Sequence, residues 1–124
     1  MLDAGHRLRD PDLFRAAGRR GHRAGSRTVV THLLLPSERQ VVAMSGTSTT
    51  TGPQVGFVVS KAVGTAVVRN RVKRRLRHAV RERIATVPVG SVLVVRAQPA
   101  AAAASYPELA ADLDRCLQRV TEAR

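Results

Sequence analysis

Apolar and polar positions recur along this chain with two periods, and the change of period separates helices from strands. Between Ala66 and Arg83, Val68, Val72, Leu76 and Val80 recur every fourth residue, with Ala79 between them and Ile84 just beyond. A helix advances about 100° per residue, so these side chains fall within roughly 160° of arc. Asn70, Arg71, Arg74, Arg75, Arg77, His78 and Arg81 project over the opposite side, with Arg69 and Lys73 at the border. Toward the C-terminus a helix opens at Tyr106-Pro107-Glu108. It repeats Leu109, Leu113, Leu117 and Val120 on one face, with Cys116 close by. Near the N-terminus Asp10 caps, Pro11 suits the first helical position and Asp12 favours the positive end of the helix dipole. Leu13, Phe14 and Ala17 share one side of that short helix, and Gly18 and Gly21 end it.

Strands are expected where β-branched residues cluster between turn formers. These are Thr28–Leu35, closed by Pro36-Ser37; Gln40–Met44; Gln54–Ser60; and Val89–Val95. The first three have short connections and predict an antiparallel meander. The last is almost continuously apolar, as a central strand buried on both faces would be. Residues Met1–Arg9 are expected to fray, Arg19–Arg27 to form a basic connector, and Ser45–Pro53 to form a mobile loop. In Lys61–Thr65, Gly64 allows unusual backbone geometry and Thr65 can cap the basic helix. Pro99–Ser105, with five alanines, reads as a loop or an early helical turn. The order αβββαβα predicts one α+β domain over residues 1–124, a single two-layer structure with helices on a four-stranded sheet.

Charge narrows the function. Lys and Arg number 21 against 9 Asp and Glu, a net charge of +12. Self-repulsion on that scale is relieved by a polyanion, so nucleic acid is the expected partner. A membrane surface fits poorly, because the basic helix has only Val, Ala, Leu and Ile on its apolar face and no Trp or Phe to anchor it. No run approaches the ~20 apolar residues of a membrane span. The N-terminal MLDAGHRLRD lacks a signal-peptide core, so the expectation is a cytoplasmic protein. One cysteine, Cys116, allows no internal disulfide and suits a small core residue.

No catalytic constellation stands out. The acidic residues are scattered; Asp10 and Asp12 are explained by capping, and Asp112 and Asp114, flanking Leu113, are expected to face solvent. No metal-ligand cluster is present. His32 shares a strand face with Val30 and Leu34. It is read either as a partly buried strand histidine or as a contact for a base or phosphate on an exposed sheet face. Phe14 reads first as core.

The run from Val59 to Arg77, VSKAVGTAVVRNRVKRRLR, closely resembles the signature of the bacterial ribonuclease P protein subunit. Ser60-Lys61, Gly64, Ala66-Val67, Arg69-Asn70-Arg71, Lys73-Arg74 and Arg77 fall at the family's spacing. The resemblance implies a four-stranded, mostly antiparallel sheet with a left-handed crossover through the basic helix, a fold shared with a ribosomal-protein domain. It also implies a ribonucleoprotein in which a catalytic RNA, with Mg²⁺ held mainly by that RNA, removes the 5′ leader of precursor tRNA. No protein residue is then catalytic. Ser60, Lys61, Arg69, Asn70, Arg71, Lys73, Arg74 and Arg77 would contact the RNA subunit, and Phe14, Val30 and His32 would line the cleft for the leader. Gly18 stands where the family often has a second aromatic residue. Two other readings remain: an RNA chaperone or ribosome-associated protein using the same helix, and a DNA-binding helix protein.

Overall fold

The computed structural model describes residues 8, 10–36 and 53–122. Helix α1 (Pro11–Arg20) leads into β1 (His22–Gly25), β2 (Val29–Leu34) and β3 (Gln54–Val58). Helix α2 (Ala66–Arg83), β4 (Val92–Ala97) and α3 (Tyr106–Glu122) follow. The order αβββαβα is as expected, but its strands are not all the expected ones. The strand expected at Gln40–Met44 lies outside the described residues, as does most of the loop expected at Ser45–Pro53. Part of the supposed connector Arg19–Arg27 is instead strand β1, which pairs antiparallel with β2.

The sheet order is β1-β2-β4-β3, with β2–β4 antiparallel and β3–β4 parallel. A meander joining the expected first and third strands is therefore ruled out, because β4 lies between them. The reason is apolar content. Leu93 and Val95 face one core and Val92 and Val94 the other, so β4 is suited to the centre, where both faces are covered. On one face Val72, Leu76, Ala79 and Val80 of α2 and Leu109, Leu113, Cys116 and Leu117 of α3 pack on β2, β3 and β4. On the other, Leu13, Ala16 and Ala17 of α1 pack on Leu34, Val92 and Val94.

Strand chirality sets the hand of the β3–α2–β4 connection. The Gln98 N–H donates to the Thr28 carbonyl on the β2 side, while the Ser91 carbonyl accepts from Gln54 on the β3 side. By alternation, Val92, Val94 and Arg96 turn their N–H and C=O toward β2, and Val92 and Val94 point their side chains at α1. In an ascending strand of L-residues, a side chain facing the viewer goes with N–H and C=O pointing right. From the α1 side β2 thus lies to the right of β4 and β3 to its left. From the α2 side the chain moves leftward from β3 to β4, a left-handed crossover, against the usual right-handed preference.

The helix ends are built as their sequences require. The Asp10 carboxylate accepts from Asp12 N–H at 2.9 Å, and the Thr65 hydroxyl accepts from Val68 N–H at 3.4 Å. Ser105 and Glu108 form a capping box at α3: Ser105 N–H donates to Glu108 at 2.8 Å and Glu108 N–H to the Ser105 hydroxyl at 3.3 Å. Those bonds hold the Glu108 carboxyl below its usual pKa. Helix α1 runs through Gly18 and ends only at Gly21. Asp112, expected in solvent, is buried: it accepts from the Thr28 hydroxyl at 2.5 Å and pairs with Arg115, fastening α3 to the start of β2.

Candidate nucleic-acid interface

The turn before α2 sets its position. Ser60 precedes a short 3-10 turn over Lys61–Val63, and Gly64 follows with φ 155°, ψ −160°. A Cβ at Gly64 would sit 3.0 Å from Val68 Cγ1, so both backbone and space favour glycine. Ser60 and Lys61 are exposed on this turn, beside the start of α2.

The four residues Val72, Leu76, Ala79 and Val80 anchor α2, and Val68 and Ile84 are half-buried against the same core. Around that anchor the polar positions divide. On one flank Lys73 and Arg77, one turn apart, line a groove of about 230 Å³ with Leu8, Phe14, Val55, Gly56 and Phe57. On the other flank Arg71 donates to the Ala102 carbonyl at 3.2 Å and Arg75 to the Ala104 carbonyl at 3.1 Å, tying α2 to the segment before α3. Asn70 and Arg74 lie exposed between the flanks.

The ion pairs leave this helix unevenly neutralised. Arg15, Arg27, Arg83 and Arg115 each face a carboxylate, Arg83 binding Asp114 at the C-terminal end of α2. That bond raises the Arg83 pKa further. Among the described residues, Arg69, Arg71, Lys73, Arg74 and Arg77 have no such partner, and the buried Nε atoms of Arg69 and Arg71 have no acceptor.

The expected cleft residues do not share one groove. Phe14 lies over Gly56 in the groove above. Val30 and His32 occupy the same side of the sheet but are buried, His32 with 7% exposure. Register explains the separation: Arg23, His32, Val94 and Gly56 form one row across the four strands. At about 4.8 Å per strand, His32 stands roughly 10 Å from Gly56. The next row is Gly25, Val30, Arg96 and Val58. His32 thus sits between two guanidinium groups. Burial first, then Arg96 and Arg23, hold its pKa below the usual histidine value, and its buried Nδ1 has no hydrogen-bond partner.

Sequence reasoning did not single out Arg23, Gly56, Phe57 or Arg96. One signal for Arg96 was present: an exposed arginine within an otherwise buried strand. Among the described residues no three His, Cys, Asp or Glu side chains converge to hold a metal ion, and no helix is long and apolar enough to cross a membrane.

This arrangement can grip a phosphate backbone along α2 while a groove with aromatic and cationic walls opens at its side. The sequence model of the Ribonuclease P family matches residues 2–121. The chain belongs to the ribonuclease P protein family. The ribonuclease P protein component of a Nocardioides species is 56% identical to it, across 97% of this chain and 95% of that one. That of Salinispora tropica is 52% identical, across 94% and 91%. The solved RNase P protein of Staphylococcus aureus has the same fold, with a TM-score of 0.73, 21% identity, and coverage of 91% of this chain and 93% of that one. The α+β fold and the role as a ribonuclease P subunit expected from the signature both stand. The residues expected to contact RNA, Ser60, Lys61, Arg69, Asn70, Arg71, Lys73, Arg74 and Arg77, occupy the turn before α2 and the N-terminal two-thirds of that helix.

Proposed function

We propose that this protein docks on the RNA subunit of ribonuclease P through α2 and holds the 5′ leader of precursor tRNA along the groove between Phe14 and α2. The observation that carries the reading is the row of cations on α2 that have no carboxylate partner among the described residues, whereas Arg15, Arg27, Arg83 and Arg115 each face one. Each is available to displace a counterion from a phosphate. Ser60, Lys61, Arg69, Asn70, Arg71 and Arg74 serve the RNA subunit. Lys73 and Arg77 line the groove with Phe14, so they belong to the leader path as much as to the docking face. The Phe14 ring supplies a stacking surface and the two cations hold the backbone beside it. Arg23 and Arg96 extend the same sheet face past Val30 and His32, with His32 as a neutral wall between them.

Among the described residues no three His, Cys, Asp or Glu side chains converge on a metal position, and we assign Mg²⁺ to the RNA. The protein's part in leader removal is then binding and orientation. Such an assembly works wherever tRNA precursors are made, which places it in the cytoplasm.

Reconstitution tests this. The protein alone is expected to leave precursor tRNA intact and, with a bacterial ribonuclease P RNA at low Mg²⁺, to restore 5′ cleavage. Absence of stimulation over the RNA alone sinks the reading. Replacing Arg71 and Arg74 by Ala is expected to weaken binding to that RNA and reduce its log–log salt slope by roughly 1.5 to 2. Replacing Phe14 by Ala is expected to shrink the affinity gain that a leader confers and leave binding to the RNA subunit unchanged.

A further inference from the structure

On the flank of α2 away from the Phe14 groove, Arg74, Arg75 and His78 line an open surface cavity of about 380 Å³ with Tyr106, the first residue of α3. The His78 and Tyr106 rings meet edge to face, with centroids 5.5 Å and planes 61° apart. A single carboxylate fastens both. Tyr106 Oη donates to Glu82 Oε1 at 2.6 Å, and His78 Nε2 lies 3.5 Å from the same oxygen. Arg75 is held by the Ala104 carbonyl. Arg74 is exposed and has no carboxylate partner among the described residues. Three of the four wall residues, Arg75, His78 and Tyr106, are therefore already held in place, which lowers the entropy cost of binding.

Flat apolar walls rimmed by two guanidinium groups match a planar heteroaromatic ring joined to a phosphate. The volume lies within the ~300–1,000 Å³ range of small-ligand pockets. We propose that this cavity takes one unpaired nucleotide of the ribonuclease P RNA, with its base against Tyr106 and His78 and its phosphate on Arg74. The inference rests on the docking reading of α2 and adds a contact that recognises a base rather than backbone charge alone. A base has a π-face that stacks on such rings, whereas a phosphate chain without bases satisfies only the arginines.

Tyr106 is the only tyrosine in the chain. Incorporating 3-fluorotyrosine therefore places one fluorine reporter at the cavity wall of the intact protein. Ribonuclease P RNA is expected to shift that signal, and linear polyphosphate at equal phosphate concentration to leave it in place. An unmoved signal in the RNA complex, or an equal shift with polyphosphate, overturns the assignment. Replacing Tyr106 by Leu is expected to weaken affinity for the RNA about ten-fold, the scale of one base–aromatic stack. Tyr106→Phe is expected to stay within about two-fold, and neither variant to change the salt slope, since no phosphate contact is removed. Wild-type affinity in Tyr106→Leu refutes the cavity and leaves the docking reading intact. If the wild-type protein does not bind the RNA at all, both readings fall.

Discussion

Phe14 lies on the edge strand because Gly56 leaves it room. A Cβ at position 56 would lie 2.2 Å from Phe14 Cζ. Gly56→Ala is therefore expected to lower stability by about 1–3 kcal/mol, the cost of overpacking, measured by denaturant unfolding. The loss should shrink in a Phe14→Ala background, because the two residues share one contact. His32 offers a second test. Its folded pKa lies below the usual histidine value of 6.5, so below that pH the unfolded chain binds more protons than the folded one. Stability contributed by neutral His32 is full above pH 6.5 and is lost as pH falls toward the folded pKa. His32→Phe is expected to flatten the stability–pH curve below about pH 6.5 relative to wild type; an unchanged curve would contradict the burial argument. Strand alternation alone placed His32 beside Val30 and Leu34. It did not reveal Arg23, which reaches His32 through the β1–β2 pairing, or Arg96, which reaches it through the pairing with β4, distant in sequence.

At the scale of elements, the apolar rhythm of α2 was legible because a helix buries a fixed stripe. Which flank each cation occupies was not, since that depends on what packs alongside: the β3 edge for Lys73 and Arg77, the Pro99–Ser105 segment for Arg71 and Arg75. Helix α1 shows the limit of reading glycine as a stop. Gly18 is interior, exposed, and has open space where a Cβ would go. Gly18→Ala is accordingly expected to raise stability by about 0.5–1 kcal/mol in thermal or chemical unfolding. β1 was unreadable for the opposite reason. His22–Gly25 has little strand propensity and becomes a strand through its ladder with β2.

Across the whole molecule, the net charge of +12 is concentrated by the way the acids are used. Asp10 caps α1, Glu108 caps α3, Asp112 is bonded inside, and Asp12 and Asp114 each hold an arginine. That leaves α2 to carry uncompensated repulsion, which an anion bound to the native state relieves. Sulfate is expected to raise the melting temperature more than chloride at equal ionic strength. The gain should approach about 2.7 kcal/mol when sulfate reaches a hundred times its dissociation constant. Equal effects of the two salts would show that only screening is at work.

The sequence by itself determined the local matters: the helix stripes, the caps at Asp10 and Thr65, the twofold-buried character of β4, and the cationic identity of α2. Each follows from residues within a turn or two of one another, where side-chain period and backbone preference act directly. Tertiary structure alone decided which strands are neighbours, that Asp112 is buried against Thr28, that Phe14 sits on Gly56, and that Lys73 and Arg77 meet it there. It also divided one basic helix between the groove beside Phe14 and the ring-walled depression at Tyr106. Those outcomes depend on pairings across long sequence separations, where burial of the whole apolar surface, rather than any local preference, selects the arrangement.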